Sequence, residues 1–228
     1  MERGWKKIMG DKIVVAHIAG GLTTGGVEQI VYDYATHMDP GRYRWLYISY
    51  NPPDPLVQKR FEKQGFQVYT VPRKKEHFFR SCRAVYRILS EEKVQIVHSH
   101  MTVMSFITNV LGRMAGAGML ISHSHLVMYP RGIKIPVYAV FKWLDMVTDT
   151  HWAACSKAAG AYLFGKRAVE QGKVWIMNNA LDYGRWRYSP ELRTQTRRAW
   201  NLENTVVLGH VGRFTEQKNH RFLLEVFR

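Results

Sequence analysis

"KIVVAHIAGGLTTGGVEQIVYDYATHM", residues 12–38, changes its periodicity halfway along. Lys12 to Gly20 is an almost unbroken apolar run, the pattern of a strand covered on both faces. From Gly25 onward the apolar residues recur at helical spacing instead. Strand, glycine-rich turn and helix make the first half of a βαβ unit.

The alternation continues along the chain. Strand patterns are "YRWLYISY" (43–50), "FQVYTVP" (66–72), "VQIVHSH" (94–100), "GMLISHSH" (118–125), "THWAACS" (150–156) and "KVWIMNNA" (173–180). Between them lie the helical patterns "PLVQKRFEKQ" (55–64), "HFFRSCRAVYRILSEE" (77–92), "VMSFITNVLGRMAG" (103–116), "KIPVYAVFKWLDMVTD" (134–149) and "KAAGAYLFG" (157–165). Short apolar strands separated by helices predict an α/β fold with a parallel sheet. Ligands in such sheets bind beyond the carboxyl ends of the strands.

The composition then shifts. "LDYGRWRYSPELRTQTRRAWNLEN" (181–204) is polar and basic and reads as a connector with one helix, and "TVVLGHVGR" (205–213) predicts a new strand. The domain boundary is expected within 183–203. The predicted division is 1–185 for a first Rossmann-like domain, 186–203 for a connector, and 204–228 for the start of a second domain. A single strand and helix cannot cover both their faces, so the second domain is expected to be truncated.

The chain has 228 residues, 46% of them apolar, and a formal charge of +15. That excess points to an anionic partner: nucleic acid, an acidic membrane or a phosphorylated ligand. Cys82 and Cys155, the two cysteines, lie too far apart for ligand-like spacing, which suits a reducing compartment such as the cytoplasm. No segment approaches eighteen uninterrupted apolar residues.

Four features carry candidate chemistry. In "AGGLTTGGVEQ" (19–29) the glycines do not give the dinucleotide fingerprint, and Val27 and Glu28 replace the Lys-Ser/Thr of a triphosphatase loop. What is left is either an anion-attracting crown of N–H groups at a helix N-terminus or a tight turn. His98, His100, His123 and His125 form two His-x-His pairs at strand ends, where alternate residues share a face. With no carboxylate or thiolate at a helpful spacing, we expect no metal. Hydrogen bonding to a polar ligand, or within the loops, remains open. "PRKKEHFFRSCRAVYRIL" (72–89) sets six cations, Arg80, Arg83 and Arg87 among them, against Glu76. Such a helix suits an anionic leaflet or a solvated face, and no nucleic-acid-binding motif accompanies it. Lastly, "GHVGRFTEQKNHRFLLEVFR" (209–228) presents Arg213 and Lys218 in a loop suited to phosphate.

The order of these pieces resembles the retaining nucleotide-sugar glycosyltransferases of family four, which have two facing Rossmann-like domains (the GT-B architecture). The resemblance rests on "GGVEQIVYDYA", "VQIVHSHM", "ISHSH", "ACSKAAGAYLFG", "WIMNNALDYGRW" and "GHVGRFTEQKNHRFLLEVF". It is nearest in character to the exopolysaccharide and capsule group. It implies that Arg213 and Lys218 hold the donor diphosphate, with Gly25 and Gly26 giving close backbone approach. His125 would contact the transferred sugar, with His123 and His100 on the acceptor side, and Glu28 would be structural. The implied donor is a nucleotide-diphosphate sugar, preferably a UDP-sugar, and no further cofactor is expected. The implied acceptor is a glycan or lipid-linked saccharide, reached at the inner face of the membrane through Arg80, Arg83 and Arg87. Ala180 departs from the glycine usual after Asn179 in the family, and the family's paired-Glu element would fall beyond residue 228. The 228-residue chain alone is therefore expected to be inactive. The alternative is a non-catalytic half that binds a membrane or partner and needs a second chain.

Overall fold

A computed structural model describes residues 12–180, 183–212 and 214–227. The chain forms two compact units, Met1–Leu181 and Asp182–Arg228.

The first unit is built on seven parallel strands: β1 (Ile13–Ala19), β2 (Tyr43–Ser49), β3 (Phe66–Thr70), β4 (Ile96–Ser99), β5 (Met119–Ser124), β6 (His151–Ala154) and β7 (Val174–Ile176). Their spatial order is β3-β2-β1-β4-β5-β6-β7, so the chain winds one way from β1 and then reverses at β4. Every strand predicted for this unit forms. The helices between them are α1 (Gly26–Thr36), α2 (Pro55–Lys63), α3 (Phe78–Glu91), α4 (Ser105–Met114), α5 (Lys134–Thr148), α6 (Lys157–Phe164) and α7 (Lys166–Glu170). Six of the seven match helical patterns of similar length, and the short α7 was not predicted.

Local chemistry sets several boundaries. Asp54 caps α2 by accepting hydrogen bonds from the N–H groups of Leu56 (2.9 Å) and Val57 (3.2 Å), with Pro55 pre-set in the first turn. Ser156 caps α6 through the Ala159 N–H at 3.2 Å. On α3, Ser81, Val85, Ile88 and Leu89 are buried, while Arg80, Arg83 and Arg87 are exposed on the opposite side.

Each sheet face has its own core. Val31 and Ala35 of α1 and Phe61 of α2 pack on Val15, Trp45 and Tyr47 on one face. On the other, Val85, Ile88 and Leu89 of α3 pack on Val14, Leu46, Ile48, Val97 and Leu120. α4 approaches this second face so closely that a Cβ on Gly112 would stand 2.8 Å from Val97 and 2.9 Å from Leu120. Residue 112 must be glycine for α4 to lie there.

The second unit holds α8 (Pro190–Ala199), capped by Ser189 through the Leu192 N–H at 3.1 Å, and α9 (His220–Phe227). The sequence pattern predicts a strand over 206–211, yet residues 206–212 carry neither strand nor helix. A strand exists only through hydrogen bonds to a neighbour, and none pairs here among the described residues. Val206 and Val211 are accordingly 85% and 99% exposed. Arg213 lies outside the described residues. Lys218 is exposed, with the stem of its side chain folded toward Gly212. Among the described residues no helix is long and apolar enough to cross a membrane.

Candidate functional site

The carboxyl ends of β1, β4 and β5 bring five histidines together. β1 pairs with β4 so that His17 lies beside His98, and β4 pairs with β5 so that His98 lies beside Ile121. Parallel partners share a face and alternate residues repeat it, so His17, His98, His100, His123 and His125 all project to one side. Ser99, Ser122 and Ser124 project to the other. Both His-x-His pairs thus point as the spacing predicts. His17 was not predicted to join them.

The rings bond to one another. His17 Nδ1 lies 3.1 Å from His100 Nε2, and His100 Nδ1 lies 2.7 Å from His125 Nε2. A separate contact joins His98 Nε2 to His123 Nδ1 at 3.0 Å. Their planes also stack, with centroids 5.1 Å apart for His98–His123 and 3.9 Å for His123–His125. Each contact takes one proton between two nitrogens, which a run of neutral rings supplies by donating from one to the next. Burial enforces that state by opposing the charged form. It pushes His17 down to about 3, His123 to about 2 and His125 to about 4, and holds His98 and His100 well below the usual 6.5.

His17, His98, His100 and His123 form the polar wall of a cavity of about 300 Å³ whose roof is the apolar face of α1. Tyr34, on that roof, donates a 2.8 Å hydrogen bond to the Asn178 carbonyl. His125, at the rim, is only partly buried.

The glycine loop lies between β1 and α1. It is tied to β2: the Tyr47 hydroxyl donates to the Gly21 carbonyl at 2.9 Å, and the Asn51 amide donates to the Gly20 carbonyl at 2.5 Å. Gly25 is the N-cap of α1 and offers no side chain to its free N–H groups. The carboxylate of Glu28 turns back toward this loop, accepting at 3.4 Å from the Thr23 N–H. A Cβ on Gly25 would stand 2.3 Å from Glu28 Oε2. An acid in the first turn suits the positive end of the helix. The sequence expectation that Glu28 serves structure agrees with this geometry.

On the opposite sheet face, the Thr108 hydroxyl donates to the Ser105 carbonyl at 2.8 Å and accepts from the Ser99 hydroxyl at 2.8 Å, and the Asn109 amide donates to Ser122 Oγ at 2.9 Å. Asp145 of α5 accepts from the Phe106 N–H in the first turn of α4, and burial pushes its carboxyl up to about 8. Asp149 accepts from Trp152 Nε1 at 2.5 Å and is pushed up to about 7 by burial. Sequence reading missed both carboxylates, because their partners are set by packing rather than by spacing along the chain.

Arg80, Arg83 and Arg87 stand apart from the histidine cluster, exposed on α3, with Arg87 3.8 Å from Glu91. Lys218 belongs to the second unit, and Arg213 lies outside the described residues.

Residues 24–185 match the family described as Glycosyltransferase Family 4. The chain is 25% identical over 220 residues to EpsF of Bacillus subtilis (strain 168), a protein named as a glycosyltransferase, covering 93% of this chain and 57% of that one. Among solved structures it is similar to Anabaena HepE in complex with UDP-glucose, with a TM-score of 0.72 and 16% identity over 94% of this chain and 57% of that one. A glycosyltransferase of Rickettsia africae ESF-5 gives a TM-score of 0.66 and 15% identity, over 95% and 57%. The chain therefore spans a little over half the length of these proteins, and the likeness shows the α/β fold of the GT-B type.

Proposed function

The chain belongs to glycosyltransferase family 4, and on that premise we propose that it serves transfer of a sugar from a nucleotide-diphosphate donor to a glycan or lipid-linked acceptor in polysaccharide synthesis, with retention. The observation that carries this reading is that a glycine loop crowning α1 and the partly buried imidazole of His125 both stand at the carboxyl end of one sheet. HepE's complex with UDP-glucose favours a UDP-sugar as donor.

In this reading the N–H groups at Gly25 and Gly26 approach the diphosphate, and Glu28 moves aside for it. Arg213 and Lys218 offset the charge that collects on the departing diphosphate. His125 is neutral at pH 7, so it acts on the sugar as a hydrogen-bonding group and not as a cation. His123 and His100 set its position from the acceptor side. The acceptor oxygen bonds to the anomeric carbon as the bond to the leaving phosphate oxygen breaks on the same face. The acceptor proton passes to that phosphate oxygen, so no protein nucleophile is needed.

The test supplies UDP- and GDP-sugars with lipid-linked acceptors, and follows nucleotide release and the anomeric configuration of the product. Turnover is expected when the chain is joined to the additional length its relatives carry, and none from residues 1–228 alone. His125→Ala and Lys218→Ala should each lower turnover about 10²–10³-fold. A product of inverted configuration, or unchanged turnover in both variants, refutes the reading.

A second reading follows from the exposed cations of α3: a non-catalytic half that binds an anionic membrane. Each basic residue near such a surface contributes about 1 kcal/mol. Sedimentation with anionic vesicles that Arg80→Gln, Arg83→Gln and Arg87→Gln together abolish supports it. Equal sedimentation with neutral vesicles removes it.

A further inference from the structure

Sugar transfer as proposed gives a role to three of the imidazoles, His125, His123 and His100, and none to His17 or His98. It leaves unexplained why five histidines are gathered under α1 when hydroxyls or apolar residues would fill the space. Three observations point to a ligand for them.

One ring nitrogen from each of His100, His123 and His125 lies within 4.8 Å of the others. His123, only 1% exposed, keeps its Nε2 without a hydrogen-bond partner. A buried nitrogen left unbonded is costly, unless it serves to bind something. The two buried members are also each held from behind by another histidine. His100 contacts His17 through Nε2 at 3.1 Å, and His123 contacts His98 through Nδ1 at 3.0 Å. This is how metal-ligating imidazoles are oriented: the second nitrogen donates its proton to a neighbouring acceptor and leaves the first as a lone pair.

We propose that His100, His123 and His125 form a binding site for one divalent cation of the zinc type, with His17 and His98 as positioning residues behind the two buried ligands. The site departs from the sequence expectation of no metal, which did not include His17 or the partners of the rings. It does not depend on the sugar-transfer reading.

The donor set is all imidazole, which suits zinc, copper or nickel over calcium or magnesium. Tetrahedral ligation at about 2.0–2.1 Å sets the nitrogens roughly 3.4 Å apart. The 2.7 Å approach of His100 and His125 then has to open by well under 1 Å, and the partly exposed His125 is free to supply that movement. Three protein ligands leave the fourth position for water or another small oxygen ligand. Burial helps further, since rings kept neutral present lone pairs without competition from protons. A second trio, His17, His98 and His100, is also close enough. All three are deeply buried and none of them keeps an unpartnered buried nitrogen such as His123 Nε2, so the outer trio is preferred.

The test uses the tag-free chain, stripped with a chelator and titrated with Zn²⁺ by calorimetry, and with Co²⁺ by visible absorption. One Zn²⁺ per chain and the intense absorption of tetrahedral Co²⁺ are expected. His125→Ala, at the rim where folding tolerates it, should weaken Zn²⁺ at least tenfold. His17→Gln should weaken it about 10–100-fold while the stoichiometry stays at one. Weak octahedral Co²⁺ absorption, or unchanged Zn²⁺ affinity in His125→Ala, overturns the proposal. Loss of binding on changing the outlying His37, His77 and His151 would also overturn it.

Discussion

The two sides of β4 and β5 carry interleaved residues of the same two segments, yet they are built on different terms. On the α4 side, Ser99 and Ser122 are hydrogen-bonded to Thr108 and Asn109, and Gly112 admits the helix to van der Waals contact with Val97 and Leu120. On the α1 side, five imidazoles bond chiefly to one another beside a cavity, and one nitrogen is left over. The first side is a clasp that fastens a helix. The second holds its polar groups neutral and keeps room beside them, which is what a binding surface needs and a clasp does not.

Acid should break this contrast most strongly. In chelator-treated protein the five histidines are neutral in the fold but titrate near 6.5 once unfolded. Below that pH the unfolded chain binds more protons, so the stability they contribute is complete above 6.5 and is lost as pH falls, through about 4 for His125 and on to about 3 and 2 for His17 and His123. Asp145 and Asp149 act in the opposite sense, stabilising below about 3.8 and losing that contribution as pH rises through 7 to 8. Five groups outweigh two, so chemical denaturation should show a net loss on the order of several kcal/mol between pH 7 and 4.5. A flat profile would mean that the imidazoles are not sealed.

On the clasp side, Gly112→Ala drives a methyl into Val97 and Leu120 and should cost about 1–3 kcal/mol, read as a lower unfolding midpoint. Next comes Asn109→Leu, which removes the buried amide that donates to Ser122 Oγ and should cost about 1–3 kcal/mol. A double-mutant cycle with Ser122→Ala should show coupling between the two side chains. The smallest change is expected at the glycine loop. Gly25→Ala meets only the movable end of Glu28 and should cost less than about 1 kcal/mol, falling further in a Glu28→Ala background. A larger cost in that background would mean that the loop backbone, not the carboxylate, demands glycine.

Much of this arrangement could be read along the chain. Alternation in "VHSHM" and "ISHSHL" gives the shared face of each histidine pair, because strand geometry is local. His17 was not legible, since in "KIVVAHIAG" it sits in a run that reads as covered on both sides. Its meeting with His98 depends on β1 lying beside β4, 81 positions along the chain, which is a matter of topology. The same reasoning explains the overread strand at 206–211. Its residues suit an extended conformation, but pairing requires a neighbour that local pattern cannot supply. Glu28 was legible as an acid in a first turn, whereas its approach to Gly25 needed the loop's actual path.

The reversal of winding between β1 and β4 has one further effect. The connections leaving these two strands travel to opposite sides of the sheet, so the notch between them follows from chain routing and does not depend on any side chain. Substitution can repaint its walls but cannot fill it without rewinding the fold. Relatives differing at five positions in six can therefore change what lodges there and still keep somewhere for it to lodge.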